Sequence, residues 1–192
     1  MPRIVTGKYR GAILAAPKGD ATRPTADKVK EALFSMIQTQ IPGSNFLDLF
    51  AGSGQNGLEA LSRGAESVVL VEKAGQAVAC IKQNIEKIRA TDENITLMKR
   101  NVIVALDELE AEINAGKREP FDIIFMDPPY KDAEKYAMQV ADKIVASNLL
   151  SKDGIVIVEH ASDTNFNTDV INLQPLRSCS YGLCVLTFFC NK

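Results

Sequence analysis

The chain has 192 residues, of which 46% are hydrophobic, and its formal net charge is −2. This length and apolar content suffice for one sizeable core, so we expect a single domain. Because there is no run of about 18 apolar residues and the start lacks the apolar core of a signal peptide, the sequence predicts no membrane partner and a cytoplasmic location. Four cysteines without paired spacing or nearby histidines argue against a metal site and against a disulfide framework.

Charge is distributed unevenly along the chain. Residues 1–31 hold seven basic side chains against three acidic ones, although the whole chain is slightly acidic. Lys and Arg gain affinity for polyanions by displacing counterions from phosphates. A basic arm on an acidic body therefore predicts contact with nucleic acid, and a merely solvated N-terminus is the alternative that charge leaves open.

The N-terminal region predicts a small appendage followed by a helix. Residues 1–15 alternate weakly around a glycine-containing turn, which favours a β-hairpin. After a turn-rich basic segment, Thr25 is placed as the N-cap of a helix whose apolar residues from Val29 to Ile37 recur at helical spacing. Arg23, which precedes a proline and this helix N-terminus, is placed either to contact phosphate or to form a surface salt bridge.

The stretch from Asn45 to Ala60 combines a strand, a tight turn and the start of a helix. Its apolar run predicts a buried strand, and three glycines follow at Gly52, Gly54 and Gly57. Glycine lets the backbone take positive φ or approach a ligand without steric cost. The G-x-G-x-x-G spacing fits a dinucleotide-binding turn, although any α/β domain can carry a glycine-rich βα turn.

Two acidic residues near this turn favour different ligands. Glu72 closes the second predicted strand, 20 residues after Gly52, where nicotinamide-dependent oxidoreductases carry the acid that binds ribose. Asp48 lies inside the first strand, where a carboxylate is costly to bury unless it has a charged or hydrogen-bonding partner. A ligand with a cationic amino-acid end suits Asp48.

From residue 46 onward, short apolar runs alternate with amphipathic helices. The predicted strands are 46–50, 67–71, 95–98, 121–126 and 154–158, and the predicted helices are 56–63, 75–89, 102–115 and 133–147. Repeated βα units predict an α/β fold with a mostly parallel sheet and helices on both faces. In such sheets ligands bind beyond the carboxyl ends of the strands, where the strand order reverses.

The most specific motif follows the fourth predicted strand, which runs directly into D-P-P-Y, Asp127 to Tyr130. Two successive prolines remove two amide donors and fix the turn. The Asp127 carboxylate and the Pro128 carbonyl then offer two acceptors to a substrate N–H2, and the Tyr130 ring offers a stacking plane for a base. A rigid turn whose tyrosine fills the core is the structural alternative.

Together these motifs resemble the bacterial RsmD family of 16S ribosomal RNA (guanine-N2)-methyltransferases. The matching blocks are R-I-V-T-G-K-Y-R-G, R-P-T-A-D-K-V-K-E-A-L-F, D-L-F-A-G-S-G, V-E-K and F-M-D-P-P-Y. The resemblance implies a Rossmann-like class I methyltransferase fold with a seven-stranded sheet. It also implies an RNA-contacting arm over residues 1–24 and a methyltransferase domain over residues 25–192. The expected cofactor is S-adenosylmethionine. The expected partner is small-subunit ribosomal RNA or the assembling 30S particle, and the protein is expected to be a monomer.

The same resemblance assigns roles to individual residues. The residues expected to hold the cofactor are Asp48, Phe50, Gly52, Gly54, Glu72, Lys73 and Asn101. Those expected to act in catalysis are Asp127, Pro128 and Tyr130, and those expected to contact RNA are Arg10, Arg23 and Thr25. The chain departs from the family pattern at Gln55, Asn56 and Ala74.

Three other functions stay open at this point. D-P-P-Y also suits an adenine-N6 methyltransferase acting on RNA or DNA. A nicotinamide-dependent oxidoreductase fits the glycine spacing but leaves D-P-P-Y unexplained. A non-catalytic RNA-binding or assembly factor could keep the same fold. His160, the only histidine, is interpreted as a loop residue rather than a base.

Overall fold

The computed structural model describes residues 2–17, 24–91, 93–164 and 166–192. For residues 24–27 and 130 it describes the backbone and not the side chain. Arg23 therefore lies outside the described residues, and so do the side chains of Thr25 and Tyr130.

A seven-stranded sheet runs through the protein. Its strands are β1 Asn45–Asp48, β2 Ser67–Val71, β3 Ile95–Met98, β4 Phe121–Met126, β5 Leu150–Ala161, β6 Gln174–Tyr181 and β7 Cys184–Cys190. Their spatial order is β3-β2-β1-β4-β5-β7-β6. Strands β1 to β5 are parallel, whereas β7 is antiparallel to both β5 and β6. The predicted mostly parallel α/β sheet is therefore confirmed.

Helices cover both faces of this sheet. They are α1 Pro24–Met36, α2 Gln55–Ser62, α3 Gly75–Lys87, α4 Val102–Asn114 and α5 Ala133–Ala146. Adjacent strand residues point to opposite faces. Phe46 accordingly packs into a core with α1, α2 and α3, and Leu47 packs into a second core with α4 and α5. Of the helices in the described part of the chain, none has the length and apolar character needed to cross a bilayer.

Several element ends differ from the sequence predictions by one or two residues, and two differences change the interpretation of a named residue. Helix α1 begins at Pro24, so Thr25 lies within the first turn instead of capping it; proline is favoured at a first helical position because its missing N–H has no partner there. Strand β5 extends well beyond the predicted 154–158 and includes His160, so the interpretation of His160 as a loop residue is wrong. Pairing with β7 as far as Ala161 carries these polar residues into the strand.

The N-terminal segment forms the predicted hairpin and packs into the core. An antiparallel bridge joins Arg3 and Ile13, and the Ile4 N–H donates to the Ala12 carbonyl at 2.9 Å. Ile4 and Leu14 are 1% and 0% exposed and belong to the same core as α1, α2 and α3. The hairpin therefore contributes buried apolar area to the main core.

A buried carboxylate on α2 anchors this hairpin. Glu59 is fully buried and accepts the backbone N–H groups of Val5 and Thr6 at 2.7 and 3.0 Å. Its carboxylate also accepts from Arg63 Nε at 2.7 Å and lies 3.8 Å from the buried Lys30 ammonium. These hydrogen bonds and cations offset the free-energy cost of removing the Glu59 carboxylate from water.

The basic excess of residues 1–31 is smaller in the folded protein than in the sequence. Lys30 pairs with Glu59, and Lys8 forms a salt bridge with Glu93. Arg3, Arg10 and Lys28 are exposed. These three side chains, together with the exposed Lys8 that Glu93 neutralises, are the cations that the described residues of this region present to solvent.

Replacing Glu59 tests the anchor. We expect Glu59→Ala to lower the free energy of unfolding by roughly 3 to 5 kcal/mol, because it removes the carboxylate that balances the buried Lys30 charge and accepts two backbone N–H groups of the hairpin. Chemical denaturation measures this change. Glu66→Ala removes an exposed carboxylate just beyond the same helix and should cost under about 0.5 kcal/mol. Equal effects of the two substitutions would contradict the anchoring role.

Candidate active site

The strand order reverses between β1 and β4. From β1 the chain proceeds outward through β2 and β3 on one side, and β4 begins the other side of the sheet. Asp48 at the end of β1 pairs with Phe125 of β4, and the Leu49 N–H donates to the Phe125 carbonyl at 2.9 Å. The turn at Gly52 and the turn at Asp127 thus leave neighbouring strand ends, where parallel sheets bind their ligands.

The three glycines after β1 have different physical roles. Gly52 and Gly54 have φ angles of 54° and 78°, a left-handed conformation that favours glycine, and Gly54 is the N-cap of α2. A Cβ on Gly52 would meet no described atom within 4 Å, so its backbone is open to a ligand. A Cβ on Gly57 would lie 2.2 Å from Leu70 Cδ2, so Gly57 permits close packing of α2 on β2.

Asp48 holds a carboxylate that the described residues do not fully satisfy. Its side chain is 1% exposed, and Oδ2 accepts the Gly57 N–H at 3.3 Å. Within the described residues, Oδ1 has no hydrogen-bond partner. Burial, with a smaller contribution from the negative charge of Glu72, raises the pKa of Asp48 from 3.8 to about 7, although the Gly57 and Phe50 backbone hydrogen bonds lower it. Such a group favours a positively charged ligand that would restore its charged form.

Glu72 at the end of β2 fixes the glycine turn. Its Oε2 accepts the Gly52 N–H at 3.0 Å, and its Oε1 accepts the Ala74 N–H at 2.8 Å. A carboxylate has about four acceptor positions, so Glu72 keeps the capacity to accept hydroxyl groups. Glu72, which is predicted to bind ribose, therefore also links the end of β2 to the turn that follows β1.

A pocket with about 290 Å³ of empty space opens beside Glu72. Its lining residues are Leu49, Phe50, Val71, Glu72, Lys73, Arg100, Asn101, Val102 and Tyr136. The rings of Phe50 and Tyr136 meet edge to face with centroids 5.1 Å apart. The Asn101 side-chain oxygen caps α4 by accepting the Ile103 N–H at 3.0 Å, which leaves its amide N–H2 as the donor for a ligand.

Sequence reasoning missed five of these lining residues. Leu49 and Val71 directly precede predicted site residues that follow the first two strands. Arg100 immediately precedes the predicted Asn101, and Val102 immediately follows it, so the position of the third strand end could have found both. Tyr136 comes from α5, far along the chain, and only its contact with Phe50 reveals its place.

The D-P-P-Y motif follows β4 as a rigid turn. Asp127 is exposed, Pro128 is buried, and a 3-10 turn at Tyr130–Asp132 begins directly after Pro129. The Asp132 N–H donates to the Pro129 carbonyl at 2.8 Å and closes this turn. Asp127 therefore stands at the solvent edge of the strand next to β1.

Arg10, the one predicted RNA-contacting residue whose side chain the structure describes, lies away from this edge. Arg10 lies in the hairpin turn, whose neighbours Lys8 and Tyr9 bond to Ser62 at the C-terminal end of α2, away from Gly54 at its N-terminus. Arg23 and the Thr25 side chain fall outside the described residues.

The end of the hairpin segment, in contrast, lies beside the glycine turn. The fully buried Asn84 side chain donates to the carbonyls of Ala15 and Ser53 at 3.1 and 2.9 Å. Its Oδ1 accepts the Ala15 N–H at 2.7 Å. Asn84 of α3 therefore ties the residue that leads out of the hairpin to the turn between β1 and α2.

His160 is a core residue. Its ring stacks on Phe166 with centroids 4.0 Å apart, and Nε2 lies 3.0 Å from Thr187 Oγ1. Burial lowers the pKa of His160. Across the described residues, no cluster of His, Cys, Asp and Glu is arranged to hold a metal ion.

Comparisons with known proteins identify the family of this chain. A family model described as conserved hypothetical protein 95 matches residues 2–190. The chain belongs to this family. YlbH of Bacillus subtilis, which carries the provisional name of rRNA methyltransferase, is 37% identical over 182 residues that cover 94% of each chain. Ribosomal RNA small subunit methyltransferase D of Haemophilus influenzae is 33% identical over 161 residues, which cover 84% of this chain and 79% of the relative. The resemblance to the RsmD family is therefore confirmed.

Solved structures of similar proteins share the whole fold. One is YhhF of Escherichia coli, provisionally titled a methyltransferase, with a TM-score of 0.78 and 26% identity over 97% of this chain and 96% of that one. A hypothetical protein of Thermus thermophilus aligns with a TM-score of 0.79 and 30% identity over 100% of both chains. The class I methyltransferase fold is thus shown for this chain.

Removing the buried charge of Asp48 should stabilise the protein without ligand. The folded state raises the pKa of Asp48 to about 7, so the wild type loses stability as pH rises from about 4 through 7. The difference from 3.8 to about 7 corresponds to at most about 4 kcal/mol. We expect Asp48→Asn to gain stability relative to the wild type as pH rises from 4 to 8, measured by denaturation at each pH. Asp153→Asn, at an exposed position of β5, should show no such growing gain; a flat difference for Asp48→Asn would refute the buried-charge account.

Proposed function

We propose that this protein transfers a methyl group from S-adenosylmethionine to the exocyclic N2 of a guanine in 16S ribosomal RNA. We further propose that it acts as a monomer in the cytoplasm on the small-subunit RNA or the assembling 30S particle. The observation that carries the proposal is the juxtaposition of the incompletely satisfied Asp48 with D-P-P-Y on the adjacent strand end. The names of the relatives as methyltransferases of small-subunit ribosomal RNA support the substrate.

The residues around Gly52 fit this cofactor. S-adenosylmethionine carries an ammonium and a sulfonium, and Asp48 offers a buried carboxylate oxygen without a partner among the described residues. Gly52 leaves open space beside its backbone, and Glu72 has spare acceptor positions for ribose hydroxyls. Phe50, Lys73 and Asn101 line the adjoining pocket, where the adenine would lie.

The acceptor side follows from D-P-P-Y. The conjugated amino group of guanine is a poor nucleophile, and its two protons need acceptors if its lone pair is to face the donor. The Asp127 carboxylate and the Pro128 carbonyl supply two acceptors, because neither group carries a proton to donate at neutral pH. Tyr130 would stack on the base once it has left its helix.

The chemistry requires alignment more than a strong base. When bound, S-adenosylmethionine supplies an activated methyl group, whose carbon–sulfur bond breaks towards sulfur as the guanine N2 lone pair forms the new carbon–nitrogen bond. Asp127 and Pro128 hold the amino group, and the displaced N2 proton leaves through the exposed Asp127 carboxylate to water. Oriented reactants reach effective molarities of roughly 10⁵ M or more, so this positioning can supply much of the rate.

The direct test uses labelled S-adenosylmethionine with unmethylated ribosomal RNA and with small-subunit particles, followed by mapping of the modified nucleoside. N2-methylguanine in 16S RNA would support the proposal. N6-methyladenine would favour the adenine methyltransferase, and tight RNA binding without transfer would favour an assembly factor. A melting shift with NAD but not with S-adenosylmethionine would instead favour an oxidoreductase.

Replacing Asp127 separates chemistry from cofactor binding. We expect Asp127→Ala to lower kcat by at least about 100-fold, since one of two acceptors on the reacting amine is lost. Affinity for S-adenosylhomocysteine, measured by calorimetry, should stay within about twofold of the wild type because Asp48 and Glu72 remain. The exposed Asp132→Ala, in the 3-10 turn after the motif, is the matched control. Wild-type turnover by Asp127→Ala would remove Asp127 from the reaction.

Replacing Arg10 tests the RNA face. We expect Arg10→Ala to weaken RNA binding several-fold and to reduce the slope of log K against log salt by nearly one unit, because one phosphate contact is lost. Lys152→Ala removes an exposed charge near the start of β5, at the opposite end of that strand from the site, and should leave the slope unchanged. An unchanged slope for Arg10→Ala would exclude Arg10 from the RNA face.

A further inference from the structure

One carboxyl group at the catalytic edge has no role in the scheme above. Glu159 lies on β5, the strand beside β4, and it is partly exposed. Met126 of β4 pairs with Val158 of β5, so Asp127 and Glu159 are the next residues on the two strands. Neighbouring strands are about 4.8 Å apart, which lets two carboxylates converge on one planar ring.

Both carboxylates face the same side of the sheet. Phe125 and Ile157, two residues before Asp127 and Glu159, belong to the core that includes α1, α2 and α3. Side chains two residues apart on a strand point to the same face of the sheet, so Glu159 points to the same face as Ile157. Asp127 follows Phe125 by two residues and continues the alternation of β4. Asp48, at the end of β1, follows the same alternation after Phe46.

A shared neighbour supports this placement. The Cys184 thiol on β7 donates a hydrogen bond to the Glu159 carboxylate. Burial raises the pKa of Cys184, and the negative charges of Glu159 and Asp127 raise this pKa further. Burial also raises the pKa of Glu159, and its neighbour Cys184 lowers it. Cys184 therefore stays a thiol beside Glu159, whose carboxyl group keeps acceptor positions for a ligand.

The proposed reaction leaves one recognition problem unsolved. Asp127 and Pro128 accept the two protons of an exocyclic amine, and adenine carries such an amine as well as guanine. The bases differ at the adjacent ring nitrogen, since guanine N1 carries a proton and adenine N1 presents a lone pair. A carboxylate beside Asp127 would accept a hydrogen bond from the guanine N1–H and would repel the adenine N1 lone pair. Flipped bases are read by hydrogen bonds to this Watson–Crick edge of the base.

We propose that Glu159 accepts the N1–H of the target guanine and thereby selects guanine over bases that lack this proton. This inference rests on the proposed guanine-N2 methylation and adds the residue that reads the base. Glu159 is a specificity residue here, and the transferred methyl group does not touch it.

The test compares guanine with 2-aminopurine, which keeps the 2-amino group but has a lone pair at N1. Small-subunit particles are reconstituted with 16S RNA that carries either base at the mapped position. The wild type should prefer guanine by at least about 100-fold in kcat/KM. Glu159→Gln presents an amide N–H2 that can donate to N1, so the preference should fall at least tenfold. Glu159→Ala should lose guanine turnover without a gain on 2-aminopurine.

Binding measurements give a second readout and the controls. The fluorescence of 2-aminopurine reports its unstacking, and Glu159→Gln should bind the 2-aminopurine particle more tightly than the wild type does. Melting temperature and S-adenosylhomocysteine affinity show whether the fold and the cofactor pocket are intact, and Glu66→Gln serves as the matched exposed substitution. A wild-type base preference in folded Glu159→Gln would overturn the inference while leaving the proposed function in place. A wild type that methylates no guanine would instead overturn the proposed function, and the inference with it.

Discussion

Because β1 pairs with β2 on one side and with β4 on the other, two distant parts of the chain meet at one edge of the sheet. The pair Asp48 and Phe125 fixes the register, and it leaves the turns at Gly52 and Asp127 side by side. A slip of one residue would send every side chain of β1 to the opposite face, so burial of Phe46 and Leu47 in two different cores protects this register. The geometry of the candidate site is thus a consequence of core packing.

Two buried carboxylates show how structural and functional charges differ. Glu59 has two backbone donors, an arginine and a lysine around it, so its charge is compensated within the protein. Asp48 accepts backbone hydrogen bonds from Gly57, at 3.3 Å, and from Phe50, and the described residues leave Oδ1 without a partner. The first arrangement stabilises the fold as it stands. The second destabilises it until a cation binds, which is how strain at functional sites is commonly stored.

Sequence patterns predicted the parallel sheet, the glycine turn and the D-P-P-Y turn, because each of these features depends on residues that are adjacent in the chain. It was insufficient for Asn84, Tyr136 and Glu159. Asn84 reads as an ordinary polar helix residue, and its buried contacts with Ala15 and Ser53 join positions dozens of residues apart. The charge count likewise overstated the basic arm, since Lys30 is buried against Glu59. Partners of this kind depend on tertiary packing, which local patterns do not encode.

The charge of the candidate edge constrains how a polyanion can approach it. Asp127 follows the end of β4, Glu159 lies beside it on β5, and with Asp48 and Glu72 they place four carboxyl groups at this edge, which suits a cationic cofactor. Exposed cations lie on the hairpin and on α1, which pack over the same face of the sheet, and also at the edge itself, where Lys73, Arg100 and Lys131 are exposed. These cations attract phosphates to the surroundings of the edge, whereas Asp127 and Glu159 repel phosphates from their own two strands. The uncharged base is the part of an RNA that can cross this boundary, so the electrostatics themselves favour a target nucleotide turned out of its helix.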